Sequence, residues 1–293
     1  MDATKINDWV KLQQDKNRRI ALVTSGGTRV SLEKKPVRFL ENFSTGMRGA
    51  VSVEKLIENG YSVCFLYRES SIFPWSRLLP SGNMLLNSLK VEENTVYFND
   101  NLNKQLVSAL KKYNEAIEQN KLLAISYTCI YQYLNLLETV SKSLSILGSH
   151  ALVYLAAAVS DFYIPEDEMS EHKIDSSTDI TLELKTVPKM LFHLVDEWCP
   201  NAFVVSFKLE TDKNMLVPKA RQALHKYKHH AVIANSLDNR RTNILLITNH
   251  SESNIVLSDK DSKEGLVIED KIIKSIKEMH DEYINKKVKI IVI

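Results

Sequence analysis

The sequence predicts a three-layer α/β fold, with a mainly parallel central sheet between helices. Three observations carry that expectation. Strand-like runs alternate with helix-length amphipathic stretches almost to the end of the 293 residues, which is the pattern of βαβ crossovers. Some of the strand-like runs are apolar throughout, as in Val63-Cys-Phe-Leu-Tyr67, and so suit strands covered on both faces. No Ser/Gly/Pro-rich linker and no internal repeat divides the chain, so one α/β domain with a small hairpin subdomain is expected rather than two domains. The class is Rossmann-like.

Each element has its own signal. Residues 1–16 read as a helix, within an N-terminal extension over 1–19. Residues 20–23 are a β-branched strand running into Ser25-Gly26-Gly27-Thr28. Ser44 can cap a helix of about four turns, with Gly60 as its left-handed stop. The apolar residues Ala50, Val53, Leu56 and Ile57 of that helix share one face. Strand 63–67 follows, and the polar, aperiodic stretch 70–96 reads as an insertion. Helix–strand pairs are then expected at 102–119 and 122–127, 131–147 and 152–156, and 188–198 and 202–207. A fourth pair spans 218–227 and 231–234, with Pro218 in the first helical turn. Residues 243–248 and 255–258, joined by 249–254, suggest a hairpin. A final amphipathic helix near 269–284 ends the domain, taken as 20–287. The apolar tail 288–293 is either an edge strand or an exposed liability.

Composition excludes several classes. Lys+Arg number 38 and Asp+Glu 36, a net charge of +2, so no whole-surface nucleic-acid footprint exists and an anion site must be a local cluster. Hydrophobic residues at 44% and charged residues at 25% leave ample core. The three cysteines, Cys64, Cys129 and Cys199, are too widely spaced for a disulfide framework or a zinc site. The first residues lack an apolar signal core, and the longest apolar run, 151–159, is too short to span a bilayer. A soluble, cytoplasmic protein with no membrane and no nucleic-acid partner is expected.

In open parallel sheets ligands gather at the carboxyl ends of strands, near helix N-termini. The segment after the first strand, Thr24-Ser-Gly-Gly-Thr28, lets backbone approach an anion, though a tight surface turn has the same sequence. It is neither G-x-G-x-x-G nor a P-loop. Asn42-Phe-Ser-Thr-Gly-Met-Arg-Gly49 offers donors at a helix start, and an ordinary cap at Ser44 is the simpler account. Arg29, Lys34, Lys35, Arg38 and Arg48 make a local basic cluster around it, which leaves a phosphate site and a solvated face about evenly matched. Ala156-Ala-Ala-Val-Ser-Asp161 puts small residues and Asp161 at a strand's carboxyl end. Lys173, Lys208 and Asn235 also lie near strand ends, where each is either a ligand contact or a surface or turn residue. His225, His229 and His230 have no acidic or cysteine partner at metal spacing, and no G-x-S-x-G elbow occurs.

Six motifs in order carry a resemblance. They are Ser25-Gly-Gly-Thr28, Pro36-Val-Arg-Phe-Leu40, Asn42-Phe-Ser-Thr-Gly46, Ala156-Ala-Ala-Val-Ser-Asp-Phe162, Glu171-His-Lys-Ile174 and Phe207-Lys-Leu-Glu-Thr211. From about Ile20 to the last helix the chain resembles the phosphopantothenoylcysteine synthetases of coenzyme A synthesis, in their eukaryotic form. The resemblance implies ligation of 4′-phosphopantothenate to L-cysteine with ATP and Mg²⁺, through an acyl-adenylate, giving AMP and pyrophosphate. It implies that Asn42 holds the acyl end of phosphopantothenate and steadies the mixed anhydride, and that Ala157, Ala158 and Asp161 shape the adjoining pocket. Lys173 matches a flexible-flap lysine that meets nucleotide phosphates, so Asn42, Lys173 and Asp161 are the expected catalytic set. Gly26, Gly27, Ser44, Thr45 and Gly46 would line the phosphate region, with Thr28, Lys208 and Asn235 also assigned to the nucleotide. No protein ligand for a metal is assigned. The family is a homodimer with shared sites, in which the arginine matching Arg38 crosses to the neighbouring subunit. Its bacterial branch uses CTP and reads Phe-Ala-Ala-Glu-Thr, so Lys208 and Leu209 point to ATP.

Two other classes stand beside this reading. A Rossmann-type NAD(P) reductase fits the alternation of elements but lacks the glycine fingerprint. A catalytically silent scaffold would not need Asn42, Asp161 and Lys173 intact. NADPH binding, set against pyrophosphate release, separates them.

Overall fold

The computed structural model describes residues 3–98, 103–177 and 179–291. Helix α1 (Ala3–Asp15) buries Ile6, Trp9, Val10 and Gln13 at helical spacing. The side chains of Trp9 and Gln13 both donate to the Asn120 carbonyl at 3.0 Å. Strand β1 (Ile20–Ser25) is buried along its whole length. A ribbon of β2 (Arg29–Ser31) and β3 (Phe39–Glu41) precedes α2 (Met47–Glu58) and β4 (Ser62–Arg68). Next come α3 (Asn83–Asn87) and the hairpin of β5 (Leu89–Glu92) with β6 (Thr95–Phe98). The alternation then runs α4 (Asn103–Glu118), β7 (Leu122–Tyr127), α5 (Ile130–Leu144) and β8 (Ala151–Leu155). A second ribbon, β9 (Phe162–Tyr163) with β10 (Lys185–Thr186), leads to α6 (Met190–His193) and β11 (Phe203–Glu210). Helix α7 (Leu216–Tyr227), β12 (Ala231–Ser236), the hairpin β13 (Asn243–Ile247) and β14 (Glu252–Val256), α8 (Asp259–Lys263) and α9 (Ile268–Ile291) complete the chain.

The eight-stranded sheet has the order β14-β13-β12-β11-β8-β1-β4-β7. From β12 to β7 every pairing is parallel, and the β13–β14 hairpin closes the other edge antiparallel. One face packs Ala50, Val53 and Leu56 of α2, Ala109 and Ala116 of α4, and Ile268, Ile272, Ile273 and Ile276 of α9. The opposite face packs α1, α5 and the 194–198 turn, with α7 covering β12 beside them. The three-layer expectation therefore holds. From β1 the connections run one way to β4 and β7, and the other way to β8, β11 and β12. The strand order reverses between β1 and β8, where α/β sheets open a crevice.

Several boundaries differ from the sequence reading. Helix α2 starts at Met47, because Ser44 Oγ accepts from the Gly46 amide at 3.3 Å and Gly46 turns the chain at φ 77°. Gly46, not Ser44, is the cap residue, while Gly60 holds its left-handed stop at φ 88°. The helix expected at 188–198 shortens to α6 and then widens into a π turn closed by Cys199 N–H to Leu194 O at 3.0 Å. That wider turn lets Leu194, Trp198 and Cys199 all enter the core. Part of the 70–96 stretch belongs to the core. Trp75 is buried, and Glu54 accepts from the Trp75 amide at 2.7 Å and pairs with Arg77 at 2.9 Å. The tail is no strand: with no Gly or Pro to stop it, α9 continues to Ile291. Residues 1–2 of the first helix, residue 102 of the expected α4 and residues 292–293 of the tail lie outside the described residues.

Three histidines are held neutral inside this packing. His280 receives the Tyr61 hydroxyl on Nδ1 at 2.9 Å and donates from Nε2 to the Ser149 carbonyl at 2.8 Å. His230 Nδ1 accepts the Val204 amide at 3.0 Å, and His229 is 1% exposed. Burial pushes all three imidazoles down to about 4. An unfolded chain binds these protons near pH 6.5, whereas the folded chain refuses them until about pH 4. Stability from this source is therefore full above the unfolded value and drains as pH falls through that window. Glu269, whose carboxyl burial raises, works in the opposite sense, one group against three. Urea unfolding between pH 7.5 and 5 should show a steadily falling midpoint; a flat profile would mean that the three imidazoles titrate normally.

Candidate functional site

Three loops that are distant in sequence are laced together at the crevice. Gly27 packs so closely under the Asn42 carbonyl that an added Cβ would lie 1.9 Å from its oxygen. The Asn42 amide donates to Thr28 O at 3.3 Å, the Thr28 amide to Ala158 O at 3.1 Å, and the Ala158 amide to Gly26 O at 2.8 Å. Thr28 Oγ1 accepts from the Ser160 amide at 2.8 Å, and Asn42 Nδ2 donates to Val159 O at 3.0 Å. The Ser25 hydroxyl ties in Gly46 O at 3.0 Å. Asn42, Ala157, Ala158 and Asp161 thereby line one cleft of about 930 Å³, which Ser44, Thr45, Lys208 and Asn235 also line.

The other nucleotide candidates sit beneath or beside that cleft. Thr28 is fully buried and engaged with Ser160, and Gly26, Gly27 and Gly46 are not among the lining residues. These residues shape the loops that carry Asn42 and Ser44. Lys173 is exposed on a segment held by Lys34 N–H to Ser170 O at 2.9 Å and by the Arg38 guanidinium to Ile174 O at 3.1 Å. Arg38 also pairs with the buried Glu33 at 3.3 Å, away from the cleft lining.

The basic cluster of the sequence is largely spent in ion pairs. Arg29 meets Glu41 at 3.0 Å, Lys34 meets Glu171 at 3.7 Å, and Arg38 meets Glu33. Of these cations only Arg48 lines the cleft, pairing with the nearly buried Glu269 at 2.7 Å and holding the Arg240 carbonyl. Burial pushes the Glu269 carboxyl above its usual range, and Arg48 opposes that shift. The cap residue Gly46 has no side chain to offer, and Thr45 Oγ1 accepts from the Met47 amide only at 3.5 Å, so the first turn of α2 faces the cleft with Arg48 beside it.

The positive charge of the cleft comes instead from Lys189, Lys208, Lys219, Lys226, Arg240 and Arg241. Lys189 pairs with Asp161 at 2.8 Å, both being well exposed, while Lys208 and Lys219 share Glu210 at 3.2 and 2.7 Å. Sequence reasoning passed over Lys189, Lys219, Lys226, Arg240 and Arg241. Two signals were available: Arg240 and Arg241 closely follow a strand end, and Lys219 and Lys226 are seven apart, on one face of a helix. Among the described residues no group of three His, Cys, Asp or Glu side chains is arranged to hold a metal, and no helix is long and apolar enough to cross a membrane.

Comparison with known proteins shows what the chain is similar to. The DNA/pantothenate metabolism flavoprotein C-terminal domain family matches residues 118–279. The phosphopantothenate–cysteine ligase of Homo sapiens is 44% identical over 283 residues, covering 92% of this chain and 89% of the relative. Ligase 2 of Oryza sativa subsp. japonica is 40% identical, covering 90% of this chain and 81% of the relative. A solved Cab2 mutant in complex with phosphopantothenate-cysteine superposes with a TM-score of 0.90 at 36% identity, covering 97% of this chain and 94% of that one. The cleft, the laced loops around Asn42 and these similarities along nearly the whole length lead to one assignment: the chain belongs to the phosphopantothenate–cysteine ligase family.

Proposed function

We propose that this protein joins 4′-phosphopantothenate to L-cysteine in coenzyme A synthesis, using ATP to activate the carboxylate. The observation that carries the proposal is the meeting of Asn42, Ala157, Ala158 and Asp161 at one cleft, through the backbone bonds of the 25–28 and 156–161 loops. The matching fold of Cab2 with phosphopantothenate-cysteine bound supports it.

A carboxylate is a poor acylating group, so it first attacks the α-phosphate, releasing pyrophosphate and forming an acyl-adenylate. The cysteine amine then displaces AMP and leaves the amide. Both steps crowd anions, and the cleft answers with fixed donors and cations rather than with a covalent nucleophile. Asn42, its amide already aimed by Val159, orients the acyl end. Ser44, Thr45, the first turn of α2 and Arg48 face the nucleotide phosphates. Gly26, Gly27, Thr28 and Gly46 serve the nucleotide by holding that turn in place, Asn235 borders its side of the cleft, and Lys208 reaches toward it from the α7 side, where it shares Glu210 with Lys219. Lys173 approaches the phosphates from its exposed segment, and Asp161, paired with Lys189, closes the acyl pocket. With no cluster of carboxylate, histidine or cysteine ligands among the described residues, a Mg²⁺ would enter with the nucleotide and would supply charge neutralisation to its phosphates.

The sites are shared across a two-fold homodimer, with Arg38 acting in the neighbouring cleft. Two features support this. Arg38 stands outside its own cleft lining, and its chain neighbours Val37, Phe39 and Leu40, with Phe43 at the cleft itself, are apolar and exposed, Phe43 by 85%. Such a patch suits burial against a second copy, and a two-fold contact is reciprocal. The reaction is expected in the cytoplasm, with no membrane or nucleic-acid partner.

Phosphopantothenate- and cysteine-dependent release of pyrophosphate tests the function directly. ATP should outperform CTP, because Phe207-Lys-Leu-Glu-Thr211 has the eukaryotic form; equal or faster turnover with CTP refutes that assignment. Asn42→Ala should keep its melting temperature near that of the parent yet lose roughly 10²-fold in turnover, the scale of one lost transition-state donor. Normal turnover would remove Asn42 from the site. Mixing Arg38→Ala with Asn42→Ala subunits should yield heterodimers with one intact and one doubly impaired site, recovering toward half of the unsubstituted protein's activity. No recovery in verified heterodimers of two impaired parents would place Arg38 in its own subunit's cleft.

A further inference from the structure

Ser206 and His229 have no part in the steps above, yet they form a built pair at the wall of the cleft. Ser206 is in β11 and lines the cleft. His229 follows α7, is 1% exposed, and places Nε2 2.8 Å from Ser206 Oγ. Its Nδ1 is buried without a hydrogen-bond partner among the described residues.

That orphan atom decides the tautomer. A buried N–H with no acceptor is rarer and costlier than an unpaired acceptor nitrogen. The proton therefore sits on Nε2 and is donated to Ser206 Oγ. Burial, which pushes the His229 imidazole down to about 4, keeps the ring neutral at neutral pH. With a lone pair of Ser206 occupied by the imidazole, its own O–H must point elsewhere. The cleft is the open direction.

Strand alternation says which part of the cleft this hydroxyl faces. Val205 and Phe207 pack on the α2/α9 side, so Ser206, like Val204, faces the opposite side. Asn235, two residues beyond Ile233, shares the α2/α9 side with Arg48 and Glu269. The nucleotide, proposed for the α2 N-terminus, occupies that side. Ser206 instead shares its lobe with Lys219, Gln222, Lys226 and Tyr227 of α7. The acyl substrate, whose phosphate and amide oxygens are all acceptors, fits a lobe with these donors.

We infer that His229 is a positioning residue: through Nε2–H it turns the Ser206 hydroxyl into a fixed donor to an acceptor oxygen of phosphopantothenate. This rests on the ligase reading. The pair is not a nucleophilic dyad, because no third group orients His229 through Nδ1 and a buried neutral ring of this kind is a weak base at neutral pH.

Steady-state kinetics and calorimetric binding of phosphopantothenate to the full chain test the inference. Ser206→Ala should raise the KM and Kd for phosphopantothenate about tenfold or more, the scale of a hydrogen bond to a charged acceptor, with the KM for ATP and for cysteine unchanged. His229→Leu should give the same shift, and the double variant should be no worse than Ser206→Ala, since one residue acts through the other. His229→Gln, whose side-chain amide can replace Nε2–H, should recover most of the affinity. Unaltered phosphopantothenate binding in Ser206→Ala overturns the inference, as does a shift confined to ATP or cysteine. A double variant whose loss is the product of the two single losses overturns it too. Should His229→Leu fail to fold, Ser206→Ala and His229→Gln still decide. Parental pyrophosphate release is the control: its absence sinks the ligase reading itself, whereas active parent with indifferent Ser206→Ala sinks only this assignment.

Discussion

The candidate site depends on the close approach of Gly27 to the Asn42 carbonyl. No side chain fits between them, so the loop after β1 and the loop before α2 are held at backbone contact. Ala158 then bonds to both Gly26 and Thr28, a parallel bridge at Gly27 and Ala158 that continues the pairing of β1 and β8 beyond the ends of both strands. The result is a rigid junction at the point where strand order reverses. Asn42, the start of α2 and the small-residue loop after β8 all inherit their positions from it. Most of the glycines and hydroxyls near this cleft build the frame. The groups that face the cleft are fewer.

Charge is arranged on the same economical plan. A chain with net charge +2 cannot attract anions through its whole surface. Ion pairs engage Arg29, Lys34 and Arg38 of the β2–β3 region, and the contacts of Lys34 with Glu171 and of Arg38 with the Ile174 carbonyl tie that ribbon to the 170–174 segment. Arg48 is different: its partner Glu269 is nearly buried, so the pair locks the first turn of α2 against α9 and the 237–241 loop. Removing one member would leave the other as an unpaired, poorly solvated charge. The remaining cleft cations come from the start of α6 (Lys189), from β11 (Lys208), from α7 and from the loop after β12.

Buried histidines give the fold a second polar framework. His280 bridges Tyr61 and Ser149, His230 receives the Val204 amide, and His229 meets Ser206. In each case a neutral ring offers a donor or acceptor that a charged one could not keep without cost. The contact between His229 and Ser206 carries this framework from the interior to the cleft wall.

The sequence by itself determined the layer order, the identity of nearly every sheet strand and the motifs that belong to the site. Periodicity and buried β-branched runs report burial, and burial is what a sheet between helices imposes. It also determined that Gly60 ends α2, since a residue at φ 88° is most cheaply a glycine. Tertiary structure decided where the motifs point. Ser44 lost the cap because its hydroxyl bonds Gly46 instead, the 188–198 helix widened so that three residues could reach the core, and the apolar tail stayed helical. Which cations meet an anion and which meet a carboxylate was equally beyond the sequence, because Arg29, Arg38 and Arg48 look alike until their partners are placed in space. Pairing is a property of distance, and distance between residues far apart in the chain exists only once the chain has folded.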